Sequence, residues 1–333
     1  MRRWINRFLL LAVLSSLAFG GWLFWYANQT LDMADASYPF DFSIQRGDSL
    51  TSASARLHRG GSLAQPWAFV LIARFKGQAG DIKAGNYVLE TAVTPLALLR
   101  KITQGETVFG KLAFIEGWNF QEVRRSIAAN TGLRHDTLAM TDDELLRAVG
   151  ATEAHPEGLF FPDTYFFDKG SSELALYKRA YSAMQQHLEN QWAQRMPGLP
   201  YRSPYEALIM ASIIEKETGA AEERRLIASV FVNRMRLGMR LQTDPTVIYG
   251  IGPSFDGNIR RVDLLTDTPY NTYTRAGLPP TPIAAPGLAS IQAALNPETS
   301  KMLYFVSKGN GRHVFSESLA AHNRAVNRYQ RGR

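Results

Sequence analysis

Two carboxylates, Glu215 and Glu217, stand two residues apart near the end of a segment that reads as a helix. Ser203-Pro204-Tyr205-Glu206 opens it well: Ser203 can cap, Pro204 fits the first turn, and Glu206 completes a capping box. Gly219 is the expected stop. With Leu208 set at zero, Ile209, Met210, Ile213 and Ile214 fall between ~100° and ~240° around the axis, one apolar arc. Glu217 falls at ~180°, inside that arc, and Glu215 at ~340°, outside it. Glu215 should therefore be solvated or paired, while Glu217 should point along the buried face or into a cleft. Desolvation disfavours a charged carboxyl, and the negative end of the helix dipole acts the same way. A carboxyl kept protonated near neutral pH can serve as a general acid. The plainer readings are a pair with a buried arginine, Arg224 or Arg225, or a frayed helix end.

The other chemistry-bearing patterns are weaker. Gly47-Asp48-Ser49-Leu50 spells an esterase nucleophile motif, but no Asp-x-x-His pair exists to activate Ser49, so a helix start capped by Asp48 or Ser49 is favoured. The six histidines show no His-x-x-x-His spacing, and there is no cysteine, phosphate loop or dinucleotide fingerprint. No metal or cofactor is implied. Downstream, Tyr270-Asn271-Thr272-Tyr273 among Pro-rich turns offers flat rings and amide groups of the kind a sugar needs. Ordinary turn chemistry accounts for that composition equally well.

The elements that must position these residues follow from the pattern. The 333 residues carry 45% hydrophobic and 20% charged side chains, which excludes general disorder. Net charge is +7, an invitation to a nucleic-acid reading. Arg2, Arg3 and Arg7 place +3 within residues 1–7, and four arginines place +4 within 324–333, so the body between is formally neutral and nucleic acid is not expected as a partner. Phe8 to Tyr26 is uncharged, long enough to span a bilayer as a helix, and ends in Trp22, Trp25 and Tyr26, suited to the interface. A single-pass anchor is expected, with residues 1–7 cytoplasmic and the rest outside the inner membrane; a cleaved signal peptide is the alternative.

Residues 27–40 read as a tether, and 41–107 as a small α+β unit. Strands are expected near Phe42–Ile44 and Tyr87–Leu89, and helices through Leu57, at Pro66–Phe75 and from Thr94 to Gly105. From 108 a larger mixed α+β region begins. A strand is expected near Leu112–Ile115, a capping box at Asn119 and Glu122, and helices over 136–148, 172–195, 204–218 and 221–237. An aromatic loop over 156–167 and a long irregular stretch over 239–286 are expected, then a helix at 287–295, a hairpin across Gly309-Asn310-Gly311 and a last helix from Ser316 or Ser318.

Residues 211–219 (Ala-Ser-Ile-Ile-Glu-Lys-Glu-Thr-Gly), 229–250 and 270–280 closely resemble the endolytic murein transglycosylases of the YceG-like family. Pro156-Glu157-Gly158 through Tyr165 and Leu319–Asn323 look like further motifs of it. The resemblance runs from the anchor to the end and is weakest over 41–105, which corresponds to the family's LysM-like, glycan-binding subdomain. It implies a bitopic inner-membrane enzyme cutting peptidoglycan strands internally, with Glu217, the second acid of Glu-Lys-Glu, as catalytic acid. The implied reaction leaves a 1,6-anhydro end, and it needs one carboxylate because the nucleophile is the sugar's own C6 hydroxyl. Candidates to orient the glycan are Glu157, Gln242, Thr243, Asp244, Tyr270, Asn271 and Tyr273. Implied partners are peptidoglycan glycan strands, the inner membrane and peptidoglycan synthases. Two rivals stand beside this reading: a muramidase using water, with Glu157 or Asp244 as second carboxylate, and a non-catalytic glycan-binding scaffold.

Overall fold

The apolar run at the start of the chain forms one helix, α1 (Arg2–Asn28), of which Trp4–Asn28 is long and apolar enough to cross a membrane. The computed structural model describes residues 2–31, 40–59, 61–89, 91–107 and 109–332. The chain divides into two compact units, 1–110 with 167–169, and 111–166 with 170–333.

In the first unit α1 is followed by β1 (Phe40–Ile44), α2 (Leu50–Arg59), α3 (Pro66–Phe75), β2 (Gly85–Leu89) and α4 (Pro95–Gln104). β1 and β2 pair antiparallel, with Phe40 opposite Leu89 and Ile44 opposite Gly85. Ser49 starts α2 by accepting the Ser52 N–H at 3.1 Å, and Asp48 is held by the Arg56 guanidinium, so the Gly-Asp-Ser-Leu motif is used as a helix start. Thr94 caps α4, Pro95 occupies its first turn, and Gly105, at φ 74°, closes it. Phe69, Tyr87, Leu98, Leu99 and Ile102 fill the core. Leu23, Tyr26, Ala27 and Leu31 join that core, and the Leu31 N–H donates to the Val93 carbonyl at 2.9 Å. The start of the expected tether is thus packed structure, because Leu31 finds apolar partners; residues 32–39 of it lie outside the described residues.

The second unit is built on helices. In order come β3 (Phe109–Ala113), whose first two residues belong to the first unit, α5 (Phe120–Ala128), α6 (Asp142–Val149) and β4 (Thr164–Asp168), whose last two residues belong to the first unit. Then follow α7 (Glu173–Ala193), α8 (Pro204–Glu217), α9 (Arg224–Arg236), α10 (Asp244–Ile251), α11 (Arg261–Leu265) and α12 (Leu288–Leu295). A hairpin of β5 (Tyr304–Ser307) and β6 (His313–Ser316) and the helix α13 (Leu319–Tyr329) complete it. α8 is the central helix: α7, α9, α10 and α12 pack on it, and every residue from Ala207 to Ile214 is buried. Among the described residues the sheets are two-stranded, β1 with β2, β3 with β4 and β5 with β6, so the architecture is α+β with helix dominant.

Three expectations are corrected. The helix expected over 136–148 starts only at Asp142, where Thr141 and Glu144 form a reciprocal capping box. The end of the expected 156–167 loop is strand β4, because Tyr165 and Phe167 alternate buried with exposed neighbours. The 239–286 stretch contains α10 and α11; Asp244-Pro245 is itself a helix-opening signal, with proline in the first turn.

Candidate active site

α8 delivers Glu217 by ending on it. Ser203 caps the start, accepting the Glu206 N–H at 3.3 Å. At the other end Thr218 is already extended, at φ −149°, so the helix stops two residues before the expected Gly219. Three consecutive side chains of the last turn go to three different partners. Glu215 accepts the Gly287 N–H at 3.0 Å, Lys216 donates to the Gly117 carbonyl at 3.1 Å, and Glu217 accepts the Thr243 hydroxyl through Oε1. Because α8 is buried all round, an apolar arc does not distinguish Glu217; its position on the last helical residue and its bond to Thr243 do.

Glu217 faces a cavity of about 450 Å³, shared with Arg234, Gln242, Asp244 and Tyr273. It keeps some surface toward that cavity while protein surrounds its carboxyl elsewhere. Burial pushes its pKa up to about 7; the Thr243 hydroxyl pulls it down, and the nearby Asp244 carboxylate pushes it up. A carboxyl in that range holds a proton over a substantial part of the neutral pH range and can also release it.

The loop opposite α8 is held rigidly. Thr243, Thr246 and Thr272 are buried together: the Thr243 N–H donates to Thr272 Oγ1 at 3.1 Å, and Thr246 Oγ1 donates to the Thr243 carbonyl at 2.7 Å. Gln242 has φ 51°, the one non-glycine left-handed backbone among the described residues, and this local strain is carried next to the cavity. The Tyr273 hydroxyl donates to Asp244 Oδ1. Arg234 is buried in α9, its Nε donating to the Leu303 carbonyl and its Nη1 to the Leu241 carbonyl, both at 2.7 Å, with its guanidinium over the Tyr304 ring. Burial holds the His322 imidazole below its usual range, and the Arg234 cation adds to this.

Of the eight site residues expected from the sequence, Glu217, Gln242, Asp244 and Tyr273 line one cavity, and Thr243 bonds directly to Glu217. Glu157, Tyr270 and Asn271 do not line it. Glu157 is buried; its two carboxyl oxygens accept the Phe120 N–H at 3.0 and 3.1 Å, and Oε2 also accepts the Tyr249 hydroxyl at 2.9 Å. Burial raises its pKa to about 7, against the pull of those two donors. The Tyr270 hydroxyl meets Thr281 Oγ1 at 2.9 Å, and its ring packs on Tyr249. Asn271 is buried, donating to the carbonyls of Asp263, Leu264 and Thr266 and accepting the Tyr273 N–H at 2.8 Å, so it braces the loop that carries Tyr273. Arg224 and Arg225 are not the partners of Glu217; Arg225 donates to the Asn296 carbonyl. Arg234, Tyr304, His313 and His322 belong to the cavity but were not expected there. Arg234 could have been suspected, as a cation among Val230, Phe231 and Val232. His322 lies in the Leu319–Asn323 motif, whereas Tyr304 and His313 arrive on the expected hairpin, whose pattern does not say which cavity it faces.

A central helix thus ends on a half-buried acid that faces a cavity walled by one threonine-pinned loop and one hairpin. The YceG-like family model matches residues 42–328, and the chain belongs to that family. Among its relatives, an endolytic murein transglycosylase of Bacillus subtilis is 32% identical over 93% of this chain and 90% of its own length. One from Streptococcus pneumoniae serotype 2 is 27% identical over 95% of this chain, which spans 63% of that longer protein. A crystal structure of a YceG-like protein from Listeria monocytogenes is 32% identical, with a TM-score of 0.55 over 87% of this chain and 100% of the other.

Proposed function

We propose that the chain is a membrane-anchored endolytic lytic transglycosylase of peptidoglycan, with Glu217 as its acid and base. The observation that carries this reading is a carboxyl at the end of α8, held by Thr243 beside the cavity and pushed up to about 7 by burial, in a family whose relatives bear that activity as their name. With Thr243 donating to Oε1, Oε2 carries the proton and gives it to the glycosidic oxygen between MurNAc C1 and the next GlcNAc. The C1–O bond breaks and positive charge develops at C1. The MurNAc C6 hydroxyl attacks C1 and forms the 1,6-anhydro bond. Its proton returns to Glu217, restoring the starting acid with no water consumed. Asp244, held by Tyr273, lies close enough to raise the Glu217 pKa and would stabilise the developing cation. The Gln242 amide is assigned to the sugar's N-acetyl group.

The same reading places α1 in the inner membrane with Arg2, Arg3 and Arg7 on the cytoplasmic side. Residues 1–7 are then a cytoplasmic stub, 8–26 the anchor, 41–107 a LysM-like glycan-binding subdomain and 108–333 the catalytic domain. Proximity to the membrane puts the enzyme beside peptidoglycan synthases, whose nascent strands it would terminate. Mass spectrometry of uncrosslinked glycan digested by wild type and by Glu217→Gln tests the assignment. Wild type should yield anhydro-muropeptides and the variant none; undiminished cleavage by the variant, or products heavier by one water, would refute it.

A further inference from the structure

α3 is apolar on two faces: one fills the core, and Val70 and Leu71 of the other pack only partly against it. Ala68, Phe69, Ile72 and Ala73 point inward and are buried. At 100° per residue, Trp67, Val70, Leu71, Arg74 and Phe75 occupy an outward arc ~140° wide. Trp67 is 51% exposed and Phe75 75% exposed, while Val70 and Leu71 are half-buried. The neighbouring charges are basic: Arg74, Lys76 and Arg100, the last two lining one groove, have no carboxylate partner among the described residues.

This face continues directly from α1. The Trp67 ring stacks on Trp22 at 5.4 Å and on Phe19 at 6.3 Å, and Trp22 stacks in turn on Tyr26 at 5.7 Å. Phe19 and Trp22 belong to the uncharged run Phe8–Tyr26, so Trp67 is carried at their depth. The Tyr26 hydroxyl donates to the Gln65 carbonyl at 3.1 Å, immediately before α3, which ties the helix to the anchor without a free linker. Tryptophan at the end of an apolar span, followed by half-exposed aliphatics and basic side chains, matches the layered chemistry of a bilayer interface.

We propose that the outward face of α3, with Trp67, Val70, Leu71 and Phe75 beside Arg74 and Lys76, is a docking surface for anionic phospholipid at the point where α1 leaves the membrane. The proposal rests on the reading of α1 as a membrane-spanning helix. A glycan is the other conceivable occupant of exposed aromatics. Here it is disfavoured because Trp67 already stacks on residues of the span, at a depth a glycan strand does not reach.

The chain has no cysteine, so one introduced thiol labels a single site. The full chain carrying a nitroxide at Phe75→Cys, Leu14→Cys or Arg59→Cys is placed in nanodiscs containing anionic lipid, and collision with oxygen and with a water-soluble nickel chelate is measured by electron paramagnetic resonance. The oxygen-to-nickel ratio at position 75 should be several-fold higher than at 59. It should fall toward the value at 59 when Trp67→Ser is added, and fall in purely zwitterionic discs. A position 75 as aqueous as 59, with position 14 in lipid, overturns the docking face and leaves the anchor standing. An aqueous position 14 sinks both. Shielding of position 75 by soluble glycan fragments in place of lipid also overturns it.

Discussion

Thr243 is the residue on which the state of Glu217 turns. Its hydroxyl bond favours the ionised carboxylate, opposing the rise caused by burial. An acid must hold its proton to donate it, so the cleavage rate should fall as pH rises through about 7. Thr243→Val removes the bond and should move that falling limb to higher pH while lowering kcat about tenfold, on the scale of one lost hydrogen bond to a charged group. A pH–rate profile of the two proteins checks this, and an unmoved limb would show that Thr243 does not touch the acid. Glu217 was legible in the sequence, though for an incomplete reason: the wheel placed it on an apolar face, and the helix turns out to be buried on every side. Glu157 shows the converse. A motif position reads as a substrate contact, but its carboxyl is occupied by the Phe120 N–H and the Tyr249 hydroxyl, partners 37 and 92 residues away that no local pattern reveals.

At the scale of elements, the caps were legible and the strands less so. Thr94, Asn119, Ser203 and Ser318 each accept a backbone N–H at the start of a helix, because capping is a contact within four residues and short-range spacing encodes it. β4 was hidden among aromatics, where burial against distant elements decides the outcome, and α10 and α11 among turn-forming residues, although Asp244-Pro245 opens one and Asp263 accepts the Arg260 N–H at the start of the other. Asn271 joins these short elements: it satisfies three carbonyls at and beyond the end of α11 and seats the Tyr273 backbone. Asn271→Ala leaves those partly buried carbonyls without their donor and should destabilise the second unit by about 1–2 kcal/mol. Released from its seat, Tyr273 should also lose its hold on Asp244, lowering kcat. Urea unfolding beside initial rates separates the two effects; wild-type values of both would mean the brace is dispensable.

For the whole molecule, the +7 belongs to its two ends, and the body between them is formally neutral. Capture of the proposed glycan therefore depends on cavity shape, rings and hydrogen bonds, and rates in detergent on glycan carrying charged peptides should change less than about twofold between about 0.05 and about 0.3 M salt. A steep loss with salt, measured as initial rate, would point to charge steering instead. The α+β class, the long apolar first helix and the acid-bearing helix could all be read from patterning. The composition of the cavity could not, because its walls come from segments nearly a hundred residues apart. Glu217 and the 242–244 loop form one wall, and the hairpin residues Tyr304 and His313 with His322 of α13 form the other. This separation sets how the site can fail. Glu217 and its bond to Thr243, with Thr272 behind it, need no residue from 304–322, so loss of the hairpin should leave the acid held but the cavity open on one side.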